Sequence, residues 1–250
     1  MMTPKELIEV ALLAGEIMLK NGAETYRVED TMVRICSKGN LKFNESFVIP
    51  TGIVATVADE KNNLLTISKR IKNRTIDLNK ISLVNQFSRD FEKHDFTYEK
   101  AIKILNDIQN KKGYSNKITP LAAALVCCFS TILFGGKMLD AISAFFVGLF
   151  TQIVLNILNS KNLSYFISYI IGGFSTATLA LITVNFHLGI NLDKIIIGSV
   201  MIMTPGVAIT NAIRDTIAGD LLSGVARGVE ASLIAIFIAT GAGIALSILK

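Results

Sequence analysis

Arg214, Asp215, Asp220, Arg227 and Glu230 crowd one end of the stretch Thr204–Glu230, between two strongly apolar runs. A charge facing lipid at the bilayer centre costs roughly 2.5–3.5 kcal/mol on the gentlest scale, so five need partners, a wet cavity or a membrane surface. On a helix, Asn211 and Asp215 are four apart and share a face, with Arg214 at its edge. Ile213, Ile217, Leu221 and Val225 make the opposite, apolar stripe. A guanidinium holds a carboxylate by a forked pair of hydrogen bonds. Arg214 is therefore the candidate ligand for a substrate carboxylate, with Thr204, Thr210 and Asn211 as polar contacts. A partly desolvated Asp or Glu titrates near neutral pH and can carry a coupling proton. Asp215, Asp220 and Glu230 are candidates for that role, or for pairing with Arg214 and Arg227. Pro205–Gly206 interrupts the helix ladder just before the charges begin, the pattern by which transporters build a midplane site. The competing reading is an interfacial helix with ordinary surface charges.

A second polar cluster, Glu24, Arg27, Glu29 and Asp30, lies at the start of a helix near the N-terminus. By spacing alone it reads as capping and intrahelical ion pairs. Nothing else has the form of a catalytic or metal-binding site. His94 falls in a charged helix and His187 in a loop, and there is no Walker loop, no H-E-x-x-H and no G-x-S-x-G. No catalytic residue, metal or cofactor is expected.

The elements that must position these clusters fall into two halves. The chain is 51% hydrophobic with a mean hydropathy of +0.50, too apolar for an ordinary soluble domain. Residues 1–117 hold 19 Lys/Arg and 15 Asp/Glu of the totals of 25 and 20. The first half is thus soluble-like and basic, the second membrane-like. The net charge of +5 comes from basic residues scattered among acids, with no Arg-rich stripe or RNA-binding aromatic motif, which argues against nucleic acid. Cys36 stands alone and Cys127–Cys128 are adjacent in an apolar run, so no disulfide framework is implied.

In the first half, helices are expected over 3–20, with Thr3 and Glu6 as a capping box, and over 25–38. Strands follow over 42–49, 52–58 and 64–71, with a hairpin turn at 60–63, then helices over 81–94 and 97–110. The second half divides into five spans: 119–134, 139–158, 163–184, 194–211 broken at Pro205, and 230–249, with a polar broken-helix segment over 204–230. The fold class is mixed: a soluble α+β domain over 1–117, followed by an all-α transmembrane bundle of five helices over 118–250. Thr3–Lys20 is charged throughout and has no apolar h-region, so the first half is expected in the cytoplasm and Lys250 outside. Loop Lys and Arg support that orientation mildly. Ala231, Ala235, Ala239, Gly243 and Ser247 form a small-residue ridge on the last span, and Ser168, Gly172, Thr176 and Ala180 another on the third. Such ridges pack helices closely, inside one chain or between chains.

Gly22-Ala-Glu-Thr-Tyr-Arg-Val-Glu-Asp-Thr-Met32 resembles the N-terminal signature of the threonine/serine exporter family, ThrE. The run Pro205-Gly-Val-Ala-Ile-Thr-Asn-Ala-Ile-Arg-Asp-Thr-Ile-Ala-Gly-Asp220, with Ser223-Gly and Arg227-Gly-Val-Glu-Ala231 after it, resembles the family's membrane-half signature. The resemblance implies a secondary exporter of threonine, serine or small dicarboxylates such as succinate. Some members carry a second membrane half that this chain lacks. The resemblance therefore implies the split arrangement, in which a separate small membrane subunit (YjjB-like) completes the transporter. The expectation is a multi-pass protein of the cytoplasmic membrane, a subunit of a proton-coupled exporter and not an enzyme, able to form a homo-oligomer. Glu24, Arg27, Glu29 and Asp30 would gate it or present substrate. The alternatives are a membrane-bound hydrolase using the acidic N-terminal motif, and a non-transporting sensor or assembly subunit.

Overall fold

The structure is a computed structural model that describes residues 2–115, 117–161 and 164–249, without the side chain of Tyr165. Two compact units emerge, and they do not follow chain order. One comprises Met1–Gly113 with Val207–Val229; the other comprises Tyr114–Gly206 with Glu230–Lys250.

The first unit is built on α1 (Pro4–Lys20), opened by the expected capping box between Thr3 and Glu6. Leu7, Ile8, Val10, Ala11, Ala14, Ile17, Met18 and Leu19 are all buried. A helix apolar nearly all round belongs at the centre of its unit. Around it lie α2 (Thr25–Cys36), α3 (Leu78–Lys93), α4 (Tyr98–Asn110) and a sheet of β1 (Phe43–Ile49), β2 (Gly52–Ala58) and β3 (Leu64–Arg70). The sheet is antiparallel in the order β1-β2-β3, and Ile49 faces Gly52 across the first turn. Ile53, Ala55 and Val57 of β2 point into the core. The expected 60–63 turn is fastened by Asp59, whose carboxylate accepts from the N–H groups of Lys61 at 2.9 Å and Asn63 at 2.8 Å. Helix α3 begins three residues before its expected start. Asp77 caps it there, accepting from Asn79 and Lys80.

The second unit holds α5 (Ile118–Leu133), α6 (Met138–Ser160), α7 (Tyr165–Asn185), α8 (Leu192–Val200) and a 3-10 turn, Met201–Met203. The C-terminal part of α10 (Leu221–Leu249) completes it. Cys127, Ala144, Val147, Ala180 and Ile195 form its main core. Met203, Ile234 and Ile238 form a smaller one. Asp140 is fully buried, and its carboxylate accepts from the N–H groups of Lys137, Ile190 and Asn191 and from the Asn191 side chain, all within 2.9 Å. Those bonds tie the α5–α6 and α7–α8 connections together.

Three described helices are long and apolar enough to cross a membrane: α6, α7 from Phe166, and α10. The interrupted pair of α8 with its 3-10 turn and α9 (Gly206–Ile217) makes a fourth if it counts as one span. The expected break at Pro205 is present: the 3-10 turn ends at Met203 and α9 begins at Gly206. Helix α5 has 16 residues, about 24 Å at 1.5 Å per residue, short of a ~30 Å hydrocarbon core. The expected third span began at Leu163, which lies outside the described residues, as does Lys250.

Three details differ from expectation. The stretch 204–230 is not one separate segment: it comprises α9, a turn at 218–220 and the first turns of α10. The last helix therefore starts at Leu221 rather than 230: the left-handed Gly219 separates it from α9, and its apolar side continues the pattern behind it despite Gly224 and Gly228. The ridge of α10 is also rotated. Ala231, Ile234, Ile238, Gly241 and Ala245 are the buried positions, whereas Ala235, Ala239, Gly243 and Ser247 are exposed within this chain. The α7 ridge is buried as expected at Ser168, Gly172, Thr176 and Ala180.

Candidate functional site

Helix α2 starts badly for a free-standing helix. Glu24 occupies the N-cap position and makes no side-chain capping bond. The first N–H groups of a helix need acceptors, and its positive dipole end favours carboxylates. They come from 190 and 195 residues away in the chain. The Thr25 N–H donates to Asp215 Oδ1 at 3.0 Å, and the Thr25 hydroxyl donates to Asp220 Oδ2 at 3.1 Å. The two polar clusters recognised in the sequence are one site, and it lies wholly within the first unit.

The elements deliver these groups by local rules. After α1 the chain turns at Gly22, whose φ of 92° is the left-handed region that glycine adopts without strain. The turn presents two carbonyls. Asn211 Nδ2 donates to that of Gly22 at 2.8 Å, and an Arg227 guanidinium nitrogen donates to that of Ala23 at 2.6 Å. On the other side, α9 ends in a Schellman motif. The Asp220 N–H returns to the Asp215 carbonyl, the Gly219 N–H returns to that of Thr216, and Gly219 has φ 96°. This turn swings Asp220 back toward α2 and lets α10 run beside α9. Gly224 leaves room there for Ala212 and Thr216.

The three arginines of the site each have a carboxylate partner. Arg227 Nε lies 2.9 Å from Asp215 Oδ2, with the two side chains 7% and 0% exposed. This contact is an ion pair whose angle lies outside a hydrogen bond. Arg214 donates to Glu24 Oε1 at 2.5 Å, while Arg27 donates to Glu24 Oε2 at 3.2 Å. One carboxylate thus bridges two guanidiniums. Glu24 is 6% exposed, Arg214 55%. Burial would push the Glu24 carboxyl up, but its own backbone N–H and the guanidiniums of Arg214 and Arg27 together hold it below the ordinary range. Glu29, one turn further on, accepts from the Val48 N–H at 2.8 Å. Burial pushes its carboxyl up, and the nearby Asp220 and Asp215 add to the rise.

The structure therefore gathers Asn211, Arg214, Asp215, Asp220 and Arg227 with Glu24, Arg27 and Glu29. Asp30 and Thr204 bond elsewhere. Asp30 is exposed and pairs with Arg34 along α2. Thr204 and Glu230 belong to the second unit, and the Thr204 hydroxyl is turned back onto the Val200 carbonyl. Thr210 is exposed on α9. Thr25 and the carbonyls of Gly22 and Ala23 went unnoticed in the sequence. One signal was available: a helix whose N-cap residue is a poor capper calls for carboxylates from elsewhere. Among the described residues, no group of three or more His, Cys, Asp or Glu is placed to hold a metal ion.

Comparisons with known proteins cover almost the whole chain. Residues 9–249 match the model of the ThrE family, described as "Putative threonine/serine exporter". The chain is 24% identical over 246 residues to the "Probable succinate transporter subunit YjjP" of Escherichia coli K12, covering 98% of this chain and 95% of that protein. It is 23% identical over 232 residues to the protein of the same description from Klebsiella aerogenes, covering 92% and 89%. No solved structure matches. With nearly every residue inside the family model and several helices long and apolar enough to cross a membrane, this chain is a multi-pass membrane protein that belongs to the threonine/serine exporter family, ThrE.

Proposed function

We propose that this chain is a subunit of a secondary, proton-coupled exporter of small carboxylates, either threonine and serine or dicarboxylates such as succinate, in the cytoplasmic membrane. The observation that carries the reading is Arg214: its guanidinium already binds one carboxylate, that of Glu24, while more than half of the side chain remains exposed. A guanidinium in that setting is preorganised for the carboxylate of a small solute. Asn211 and the Asp215–Arg227 pair hold α9 and α10 in place beneath it. The curated relatives are named as succinate transporter subunits, which supports a substrate bearing carboxylates and a partner chain. On this reading, a separate small membrane subunit of the YjjB-like kind, or a second copy of this chain, completes the pathway. The exposed small residues Ala235, Ala239, Gly243 and Ser247 suit close approach of such a helix.

The test is efflux of threonine, serine and succinate, normalised to folded protein in the membrane. Arg214→Lys keeps the charge and loses the fork, so transport should fall severalfold or more; Arg214→Gln should fall further, with the N-terminal unit still folded. Wild-type efflux and affinity in Arg214→Gln would remove Arg214 as a substrate ligand.

A further inference from the structure

Glu24 occupies the place that a substrate carboxylate would take. Its two oxygens are divided between Arg214 of α9 and Arg27 of α2, and its side chain is 6% exposed. The other charged groups around it are committed. Asp215 of α9 pairs with Arg227 of α10 and accepts from the Thr25 N–H, and Asp220 accepts from the Thr25 hydroxyl. Arg227 also donates to the carbonyl of Ala23, the residue before Glu24. Should Glu24 leave Arg214, Arg27 stays on its other oxygen.

We infer that Glu24 is an internal carboxylate that substrate displaces from Arg214, and that the displaced Glu24 takes up a proton. The inference rests on the reading of Arg214 as substrate ligand and adds the fate of the carboxylate it releases. A carboxylate held out of water, having lost one of its two guanidiniums, is less favoured in its charged form. A proton from solvent on a Glu24 oxygen removes the penalty, while Arg214 exchanges one carboxylate for another. Substrate binding and protonation therefore assist one another. Equally, Glu24 lowers apparent affinity by keeping Arg214 occupied, since the measured dissociation constant rises as the competent fraction falls.

The experiment is calorimetric titration of the full chain in lipid nanodiscs with threonine, serine and succinate, near neutral pH, in two buffers of different ionisation enthalpy. Threonine is the decisive probe, because its own carboxyl is far from titrating there. Wild-type protein is expected to take up a proton as threonine binds. Glu24→Gln should bind more tightly, on the order of tenfold if Arg214 is open one time in ten in the wild type, and should take up no proton. Glu24→Asp, with a shorter reach to Arg214 and a carboxylate retained, should bind more tightly and still take up a proton, which keeps the test decisive should the Gln variant fold poorly. Binding to wild type without proton uptake, or uptake retained in Glu24→Gln, overturns the role of Glu24 and leaves Arg214 standing. If none of the three solutes binds the wild type, the reading of Arg214 falls, and the inference with it.

Discussion

Glu24 and Glu29 are five residues apart on one helix, yet the site treats them oppositely. Glu24 has two guanidiniums; Glu29 has one backbone N–H and two acidic neighbours. A carboxyl held below its ordinary 4.5 contributes stability that is present above that value and lost as pH falls through the folded pKa. A carboxyl pushed above 4.5 does the reverse: its contribution is full below 4.5 and lost as pH rises through the folded pKa. Replacing Glu29 by Gln keeps an acceptor for Val48 and removes the charge. Glu29→Gln should therefore match the wild type in strong acid and become the more stable protein as pH rises past 4.5. Chemical unfolding of the full chain across that range, followed by an optical probe of the N-terminal unit, measures it. A Gln variant less stable than wild type at neutral pH would mean that the Glu29 charge has a cationic partner and supports the fold.

Helices and strands were largely legible from periodicity and punctuation. The capping box located α1, and alternation located the three strands within a residue or two of their ends. Pro205 marked the break before α9. What did not show was the join between Thr25 and Asp215, because a capping bond spanning 190 residues leaves no local pattern. For the same reason Arg214 could be picked out as needing a partner, but Glu24 could not be named as that partner. The start of α10 was misplaced because the charges of 214–230 resembled one polar segment, whereas the division is made by backbone at Gly219. That glycine now carries a prediction. An L residue held in the left-handed region costs roughly 1–2 kcal/mol. Gly219→Ala meets no steric obstacle, so its penalty comes from φ alone. The penalty should appear as lost protection at the turn and at the start of α2, where Asp220 engages Thr25. Hydrogen exchange of the Thr25 and Asp220 amides reads it; unchanged exchange at both would show that the turn does not hold α2.

At the scale of the molecule, the same join constrains membrane topology. Asp220 and Asp215 touch Thr25, so if Met1–Gly113 stands outside the bilayer, as the sequence leads us to expect, the α9–α10 turn lies on the same side of it. The number of crossings between Gly113 and that turn must then be even. Helices α6 and α7 are long enough to cross; α5 is short, and α8 with α9 is interrupted. Parity requires that α5 and the interrupted pair both cross, giving four, or that neither does, giving two. In either case α10 crosses once more and ends on the far side. We expect the four-crossing arrangement, because α5 is apolar along its length and the Pro205 break can be satisfied inside the protein. The discriminating position is the α5–α6 connection, which faces away from the N-terminal unit only if α5 crosses. Single cysteines at Phe134, Ala218 and Ile248, in a chain whose three native cysteines are replaced, report the sides by labelling with a membrane-impermeant reagent. Ala218→Cys should label from the cytoplasmic side, and Phe134→Cys and Ile248→Cys from the other. Labelling of Phe134→Cys with Ala218→Cys would select two crossings and leave α5 lying on the surface. Labelling of Ala218→Cys with Ile248→Cys would break the parity rule, and with it the claim that the join between α2 and the α9–α10 turn persists in the membrane.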